Sequence, residues 1–194
     1  MSRHALALAA IAIALTAAAC GRAMPVASFD PASACATDGR FPGAYPELEA
    51  LLPPMYGDQA PANVDSGRNC TDQALGVLAD AGVEGVRFAG ATWALGGTTG
   101  LTVAVFEGEG LDAANMLAFY EDGARSARRT EKLQVSDVMV GDAAGRRLDV
   151  LGSDGTGQTV VTWPADEPGR VNVVLAADLG DTKVAELLGV LGDR

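Results

Sequence analysis

The sequence predicts an α+β fold, with one antiparallel sheet of about six strands and amphipathic helices packed mainly on one face of it. Short runs of alternating apolar and polar residues recur between turn-forming residues. Several of these runs are joined by connections too short for a parallel crossover, so their strands must be antiparallel. Other segments carry apolar residues at helical spacing and need a shared surface to cover.

Length and composition indicate one domain and exclude several kinds of active site. The chain has 194 residues, a formal net charge of −11, and one histidine, which stands at position 4. A folded body without histidine excludes Ser-His-Asp hydrolases, Cys-His proteases and histidine-ligated zinc or copper. The acidic balance and the small number of aromatic residues argue against a nucleic-acid partner.

The first residues are arranged like an export signal. A short basic start, Met1 to His4, precedes an apolar run over residues 5–19 that ends in three alanines before Cys20. The run is shorter than the roughly 20 residues that a membrane-spanning helix needs. We therefore expect residues 1–19 to be a signal peptide.

Cys20, which follows small residues and precedes Gly21, resembles the lipobox cysteine of bacterial lipoproteins. The resemblance implies cleavage before Cys20, diacylation of its sulfur through a thioether, and an extracytoplasmic protein anchored by lipid to the cell membrane. The alternatives are ordinary cleavage after Ala19, which leaves Cys20 as a free terminal thiol, and an uncleaved anchor. The residues beyond the leader carry no motif of a specific family.

The remaining cysteines predict a disulfide. The chain has three cysteines, and export to an oxidising compartment disfavours unpaired thiols. If a lipid takes Cys20, then Cys35 and Cys70 remain to pair. Neither stands in a Cys-x-x-Cys motif, so we expect this disulfide to stabilise the fold and to have no part in catalysis.

The N-terminal half is predicted to hold a tether, two helices and a hairpin. Residues 20–43 are rich in Ala, Pro, Ser and Gly, which is typical of a flexible tether, and residues 44–194 form the single domain. The predicted elements are a short helix over 46–52, a loop over 54–68, a helix over 70–81 with Asn69 as its N-cap, and strands over 87–95 and 101–107.

The C-terminal half is predicted to alternate a helix, four strands and a second helix. Asp112 caps the first helix, which continues to about residue 127, and Asp181 caps the second, whose apolar residues recur at i, i+3, i+4 and i+7. The four strands form a meander over residues 132–140, 146–151, 159–163 and 171–176.

We predict no catalytic residue, cofactor or metal site. Glu107 and Glu109 are the nearest approach to the carboxylate pair of a glycosidase, but aromatic residues to line a sugar groove are few. Two oxygen-rich sets could be offered to calcium but lack its usual loop pattern, and we interpret them as solvated turn residues. These sets are Asp154, Thr156 and Gln158, and Glu107, Glu109 and Asp112.

Basic residues are concentrated in one part of the sequence. One interpretation is a surface that faces an anionic partner such as lipid head groups or a wall polymer. The other is that the residues at the helix end complement the helix dipole and the rest pair with Asp137, Asp142 and Asp149 across a hairpin. The residues concerned are Arg125, Arg128, Arg129, Lys132, Arg146 and Arg147.

Two tryptophans, Trp93 and Trp163, lie at or near strand ends, and we interpret both as core residues, with a ligand cleft as the alternative. If the protein has a small-molecule cleft, we expect it between the sheet and the helix over residues 112–127.

The sequence has clear helix and strand patterns but no catalytic motif. This combination favours a non-enzymatic, membrane-tethered binding or accessory domain. Its partner would be a small molecule, a wall polymer or another protein. The alternatives are a histidine-free hydrolase that depends on carboxylates, and a structural envelope protein that acts through protein contacts.

The lipid anchor is directly testable. Cells that express the protein are grown with a fatty-acid analogue, and we expect label in the wild-type chain but none in Cys20→Ala, because only the Cys20 sulfur can form the thioether. Equal labelling of the two chains would show that the lipid is attached elsewhere.

Overall fold

A computed structural model describes residues 29–192, which form one eight-stranded antiparallel sheet with helices on both faces. The strands follow the order β1-β2-β3-β4-β8-β7-β6-β5, so β1 and β5 are its edges. The strands are β1 Gly39–Phe41, β2 Asn63–Asn69, β3 Val86–Gly96, β4 Thr99–Glu107, β5 Thr130–Val140, β6 Ala143–Gly152, β7 Gly157–Pro164 and β8 Arg170–Ala177. The helices are α1 Pro46–Glu49, α2 Asp72–Leu75, α3 Val77–Asp80, α4 Ala113–Ser126 and α5 Asp181–Gly192.

The predicted α+β class and the antiparallel sheet are confirmed, but the number of strands is eight, not about six. All of strand β2 except Asn69 lies in the segment predicted as a loop over 54–68, and the strand has a single large apolar residue, Val64. Its buried Ser66 is satisfied by hydrogen bonds: the Ser66 hydroxyl accepts from the Tyr45 N–H at 2.8 Å and donates to Glu49 Oε1 at 2.7 Å. Hydrogen bonding therefore permits a buried strand that lacks an apolar pattern.

The expectation that the helices pack mainly on one face is wrong. Buried residues of α2, α3 and α4 pack on one side of the sheet, which we call the α4 face. Buried residues of α1 and α5 pack on the opposite side, the α1/α5 face. Neighbouring residues of a strand point to opposite faces, and in β4 Val103 and Val105 join one core while Ala104 joins the other.

The helix predicted over 70–81 is two short helices, α2 and α3. They are separated at Gly76, whose φ of 52° lies in the left-handed region that glycine adopts without strain. The N-cap is Thr71 rather than Asn69, and the Thr71 hydroxyl accepts a hydrogen bond from the Ala74 N–H at 3.2 Å.

Helix α4 begins as predicted. The Asp112 side chain accepts from the Asn115 N–H at 2.7 Å, and the Asn115 side chain accepts from the Asp112 N–H at 2.9 Å, which completes a capping box. Met116 and Leu117 then face the sheet and are buried.

Both tryptophans are core residues, as predicted. Trp93 is 1% exposed and Trp163 is 6% exposed, and both belong to the core of the α1/α5 face. The Trp93 indole N–H donates to the Gln59 carbonyl at 3.0 Å, so burial leaves that polar group satisfied.

The segment predicted as a tether is packed against the sheet from residue 29 onward. Phe29 is 7% exposed, and the guanidinium carbon of the buried Arg68 lies 4.7 Å from the centre of its ring. The same guanidinium donates to the Ser33 carbonyl at 2.8 Å and to the Thr37 carbonyl at 2.9 Å. Residues 20–28 of the expected tether lie outside the described residues.

The predicted disulfide joins Cys35 to Cys70. Because such bonds persist in oxidising compartments, this one indicates an extracytoplasmic location. None of the helices within residues 29–192 is both long and apolar enough to cross a membrane.

Cys35→Ser should lower the melting temperature only without reductant. The bond joins residues 35 positions apart, and closing a loop of that size removes unfolded-state entropy equivalent to about 3–4 kcal/mol. Thermal unfolding of the two chains with and without dithiothreitol tests this, with Cys70→Ser as the matched control. The same difference between Cys35→Ser and wild type in both conditions would show that the disulfide does not stabilise the fold.

Candidate functional site

The basic residues singled out in the sequence lie in different surroundings. Arg146 and Arg147 are neighbours on β6, so their side chains point to opposite faces of the sheet. Four of the six form ion pairs: Arg125 with Glu121, Arg129 with Asp154, Arg146 with Asp137, and Arg147 with Asp149 and Asp181. Arg128 and Lys132 are exposed. The structure does not bring the six onto one surface.

Glu107 is held between two arginines. Its carboxylate accepts a hydrogen bond from Arg170 Nη2 at 2.6 Å and another from Arg87. Burial raises the pKa of Glu107, but the hydrogen bonds from Arg170 and Arg87 and their charges outweigh it, so the pKa lies below its ordinary value. Glu109 is exposed and takes no part in this group. A carboxyl held ionised in this way is a poor proton donor.

Three other acidic groups have a pKa that is shifted in the same direction. In the described part of the chain, each carboxyl group with a shifted pKa has it lowered, namely Asp38, Glu107, Asp154 and Asp178. Asp154, one of the oxygen donors considered for calcium, accepts a hydrogen bond from the Thr156 hydroxyl at 2.6 Å and pairs with Arg129. Residues 29–192 contain no cluster of three or more His, Cys, Asp or Glu able to hold a metal ion.

A groove lies between the sheet and α4, which is where the sequence analysis expects a small-molecule cleft. It has a volume of about 450 Å³ and we call it the α4 groove. Its floor is formed by side chains of β6, β7 and β8, and its wall by the C-terminal half of α4 and the junction of α2 and α3. The residues that define it are Tyr120, Gly123, Leu148, Gln158, Val160 and Leu175.

Small residues keep the α4 groove open. Gly123, Ala124 and Ala127 lie along its helix wall and Gly76 lies on its other side. A Cβ atom added at Gly123 would meet no atom within 4 Å. Larger side chains at these positions would fill the space, so the volume follows from the choice of residues on α4.

The lining of the groove is mainly apolar but includes five polar or charged residues, Gln73, Tyr120, Asp122, Thr130 and Gln158. Burial raises the pKa of the Tyr120 hydroxyl above its ordinary value. The Tyr120 hydroxyl has no hydrogen-bond partner within residues 29–192. Since no fully buried side-chain oxygen in that range lacks a partner, the hydroxyl keeps some exposed surface, and Tyr120 is one of the residues that line the groove. The exposed amide of Gln158 lies on the same lining.

These groove residues were not identified from the sequence. Tyr120 belongs to the apolar stripe of α4 and therefore reads as a core residue. The available signal was the series Gly123, Ala124 and Ala127, because three small residues at helical spacing leave one stripe of a helix without side chains to fill it.

Comparisons with protein-family models, with curated proteins and with solved structures found no match to this chain. The function must therefore be argued from the geometry described above.

Glu107→Gln should reduce stability at neutral pH but not in acid. Because the folded pKa of Glu107 lies below its ordinary value of 4.5, its contribution is complete above that value and is lost as the pH falls through the folded pKa. We expect a loss of about 1 kcal/mol at pH 7, measured by urea unfolding from pH 7 downward.

Glu109→Gln is the matched control, because it removes the same charge two residues away at an exposed position. A Glu107→Gln deficit that stays constant into acid would contradict the ion-pair explanation.

Proposed function

We propose that this protein is a lipid-anchored, extracytoplasmic binding domain, and that it holds a small, mainly apolar molecule in the α4 groove without transforming it. The observation that carries the proposal is an open apolar groove in which the Tyr120 hydroxyl has no partner among the described residues. Sites for small molecules are typically concave and apolar with a few polar groups that orient the ligand.

The size and lining of the groove favour a compact ligand. A volume of about 450 Å³ lies in the lower half of the range of roughly 300–1,000 Å³ that is usual for such sites. Leu148, Val160 and Leu175 would contact its apolar body, while Tyr120 and Gln158 would bind a polar end. An amphipathic molecule with one polar group meets both requirements.

The charges near the groove argue against the hydrolase alternative. Within residues 29–192, Asp122 is the one carboxylate that lines the groove. A two-carboxylate glycosidase needs a second acid roughly 5–10 Å from the first. Glu107, the best candidate from the sequence, is fixed by Arg87 and Arg170.

The anchor at Cys20 would keep the body near the membrane. Residues 21–28 separate Cys20 from Phe29, which is the first described residue and is buried. That length of chain reaches at most about 30 Å when fully extended. The disulfide and the Arg68 contacts fix the following segment, so the proposed anchor would hold the domain within a short distance of the lipid surface.

Filling the α4 groove should weaken binding. Gly123→Leu places a side chain in the open space, and we expect the affinity for the neutral apolar dye N-phenyl-1-naphthylamine to fall by about tenfold or more, as for the loss of roughly 1.4 kcal/mol or more. Dye fluorescence during titration of the purified protein measures this, and circular dichroism checks that the variant is folded.

Gly189→Leu is the matched control. Gly189 is also a helical glycine whose added Cβ meets no atom within 4 Å, but it lies on α5 and outside the groove. We expect it to bind dye like the wild type. Equal binding by Gly123→Leu, or a wild type that binds no dye, would overturn the proposed site.

A further inference from the structure

A second cleft, of about 380 Å³, opens on the α1/α5 face. Leu51 and Pro53, just after α1, line one side of it, and Leu191 and Gly192, at the end of α5, line the other. We call it the interhelix cleft. It exists because α1 packs on β2 and β3 while α5 packs toward β5, so one end of the central strands is left uncovered between them.

One polar side chain, that of Asn172, lies among apolar residues on the floor of the interhelix cleft. Asn172 on β8 lies opposite Val105 on β4 and opposite Trp163 on β7. It is half-buried, and its amide forms no hydrogen bond with any described residue. An amide in this position can both donate to and accept from a bound molecule.

The Trp163 indole offers a second polar contact. Its side chain is more than nine-tenths buried, yet its N–H forms no hydrogen bond within residues 29–192, whereas the Trp93 N–H donates to Gln59. No fully buried side-chain nitrogen in that part of the chain is left unpaired, so the Trp163 nitrogen keeps some exposed surface, and Trp163 is one of the residues that line the cleft. An indole N–H can only donate, so it calls for an acceptor on the ligand.

The charged residues at the mouth of the cleft determine which sign of ligand charge it attracts. Arg170 is the one basic residue among the described residues that line the cleft, and two carboxylates neutralise it, Glu107 at 2.6 Å and Glu167 at 2.7 Å. Asp142 and Asp166 are exposed and form no ion pair with the described residues. The mouth is therefore negative and attracts a cation.

We propose that the interhelix cleft is a second binding site, which takes a small hydroxylated organic cation. A protonated amine would face Asp142 and Asp166, and a hydroxyl oxygen would accept from the Trp163 N–H while the Asn172 amide pairs with a neighbouring hydroxyl. This site lies on the opposite face of the sheet from the α4 groove, so either proposal can fail without the other.

The test uses three sugars that differ in one group. Glucosamine carries the amine and the hydroxyls, N-acetylglucosamine has lost the charge, and glucose has no nitrogen. The chain has two tryptophans, so a ¹H–¹⁵N spectrum of the purified protein shows two indole signals, which Trp163→Phe assigns. We expect glucosamine to shift the Trp163 signal and to leave the Trp93 signal in place, and the other two sugars to act at least about tenfold more weakly.

Variants identify the groups that bind. Asp142→Asn and Asp166→Asn are exposed changes that leave the fold intact, and each should weaken glucosamine binding several-fold. Asn172→Leu should weaken it about tenfold. Asp80→Asn, an equal charge change on α3 and outside the cleft, should have no effect. An unmoved Trp163 signal at saturating glucosamine, or equal binding of glucose, would overturn the proposal.

Discussion

The antiparallel ladder between β4 and β8 is the interaction on which the rest of the structure depends. Strands β1 to β4 and strands β5 to β8 are each joined to neighbours in sequence order, and among the described strands this ladder alone joins the two groups. It pairs Leu101 with Ala176 and Val103 with Val174, which are far apart in the chain. Closing so long a loop costs entropy. Burial of both strands under helices on two faces offsets that cost.

The same ladder builds both proposed sites. Its register sets Glu107 opposite Arg170, which neutralises the arginine at the mouth of the interhelix cleft. It brings Asn172 to the floor of that cleft, and on the other face it contributes Leu175 to the α4 groove. The protein thus uses one pair of central strands as the base of two separate concave surfaces.

The elements that were predicted correctly are those whose residue pattern in the sequence also stabilises them in the fold. The alternation in β3, β4 and the last four strands, the Asp112 cap and the apolar spacing of α5 predicted these elements because the same side chains form the core. It failed at β2, where Ser66 and Arg68 are buried by hydrogen bonds rather than by apolar character. It also failed for the distribution of helices between faces, because strands that are apolar on both sides do not reveal which helix covers which side.

The position of the α4 groove could be predicted from the sequence, but the individual residues that form the two proposed sites could not. The position of the α4 groove follows from a helix that packs on a sheet and has small residues, Gly123, Ala124 and Ala127, on its groove side near the C-terminal end. Asn172 could not be recognised, because one polar residue in an apolar strand is ordinary at an exposed position. Its role depends on its pairing with Trp163 of the neighbouring strand and on the end of the sheet that α1 and α5 leave uncovered, and the sequence alone does not reveal that uncovered end.

The two edge strands determine how the sheet meets other molecules. An open edge presents unpaired N–H and C=O groups to which a second copy can add its own strand. Here one edge, β1, has three residues and offers little length to pair. The other, β5, exposes Glu131, Lys132 and Asp137 along its length. The shortness of β1 and the charges along β5 are both features that disfavour the addition of a strand from a second copy.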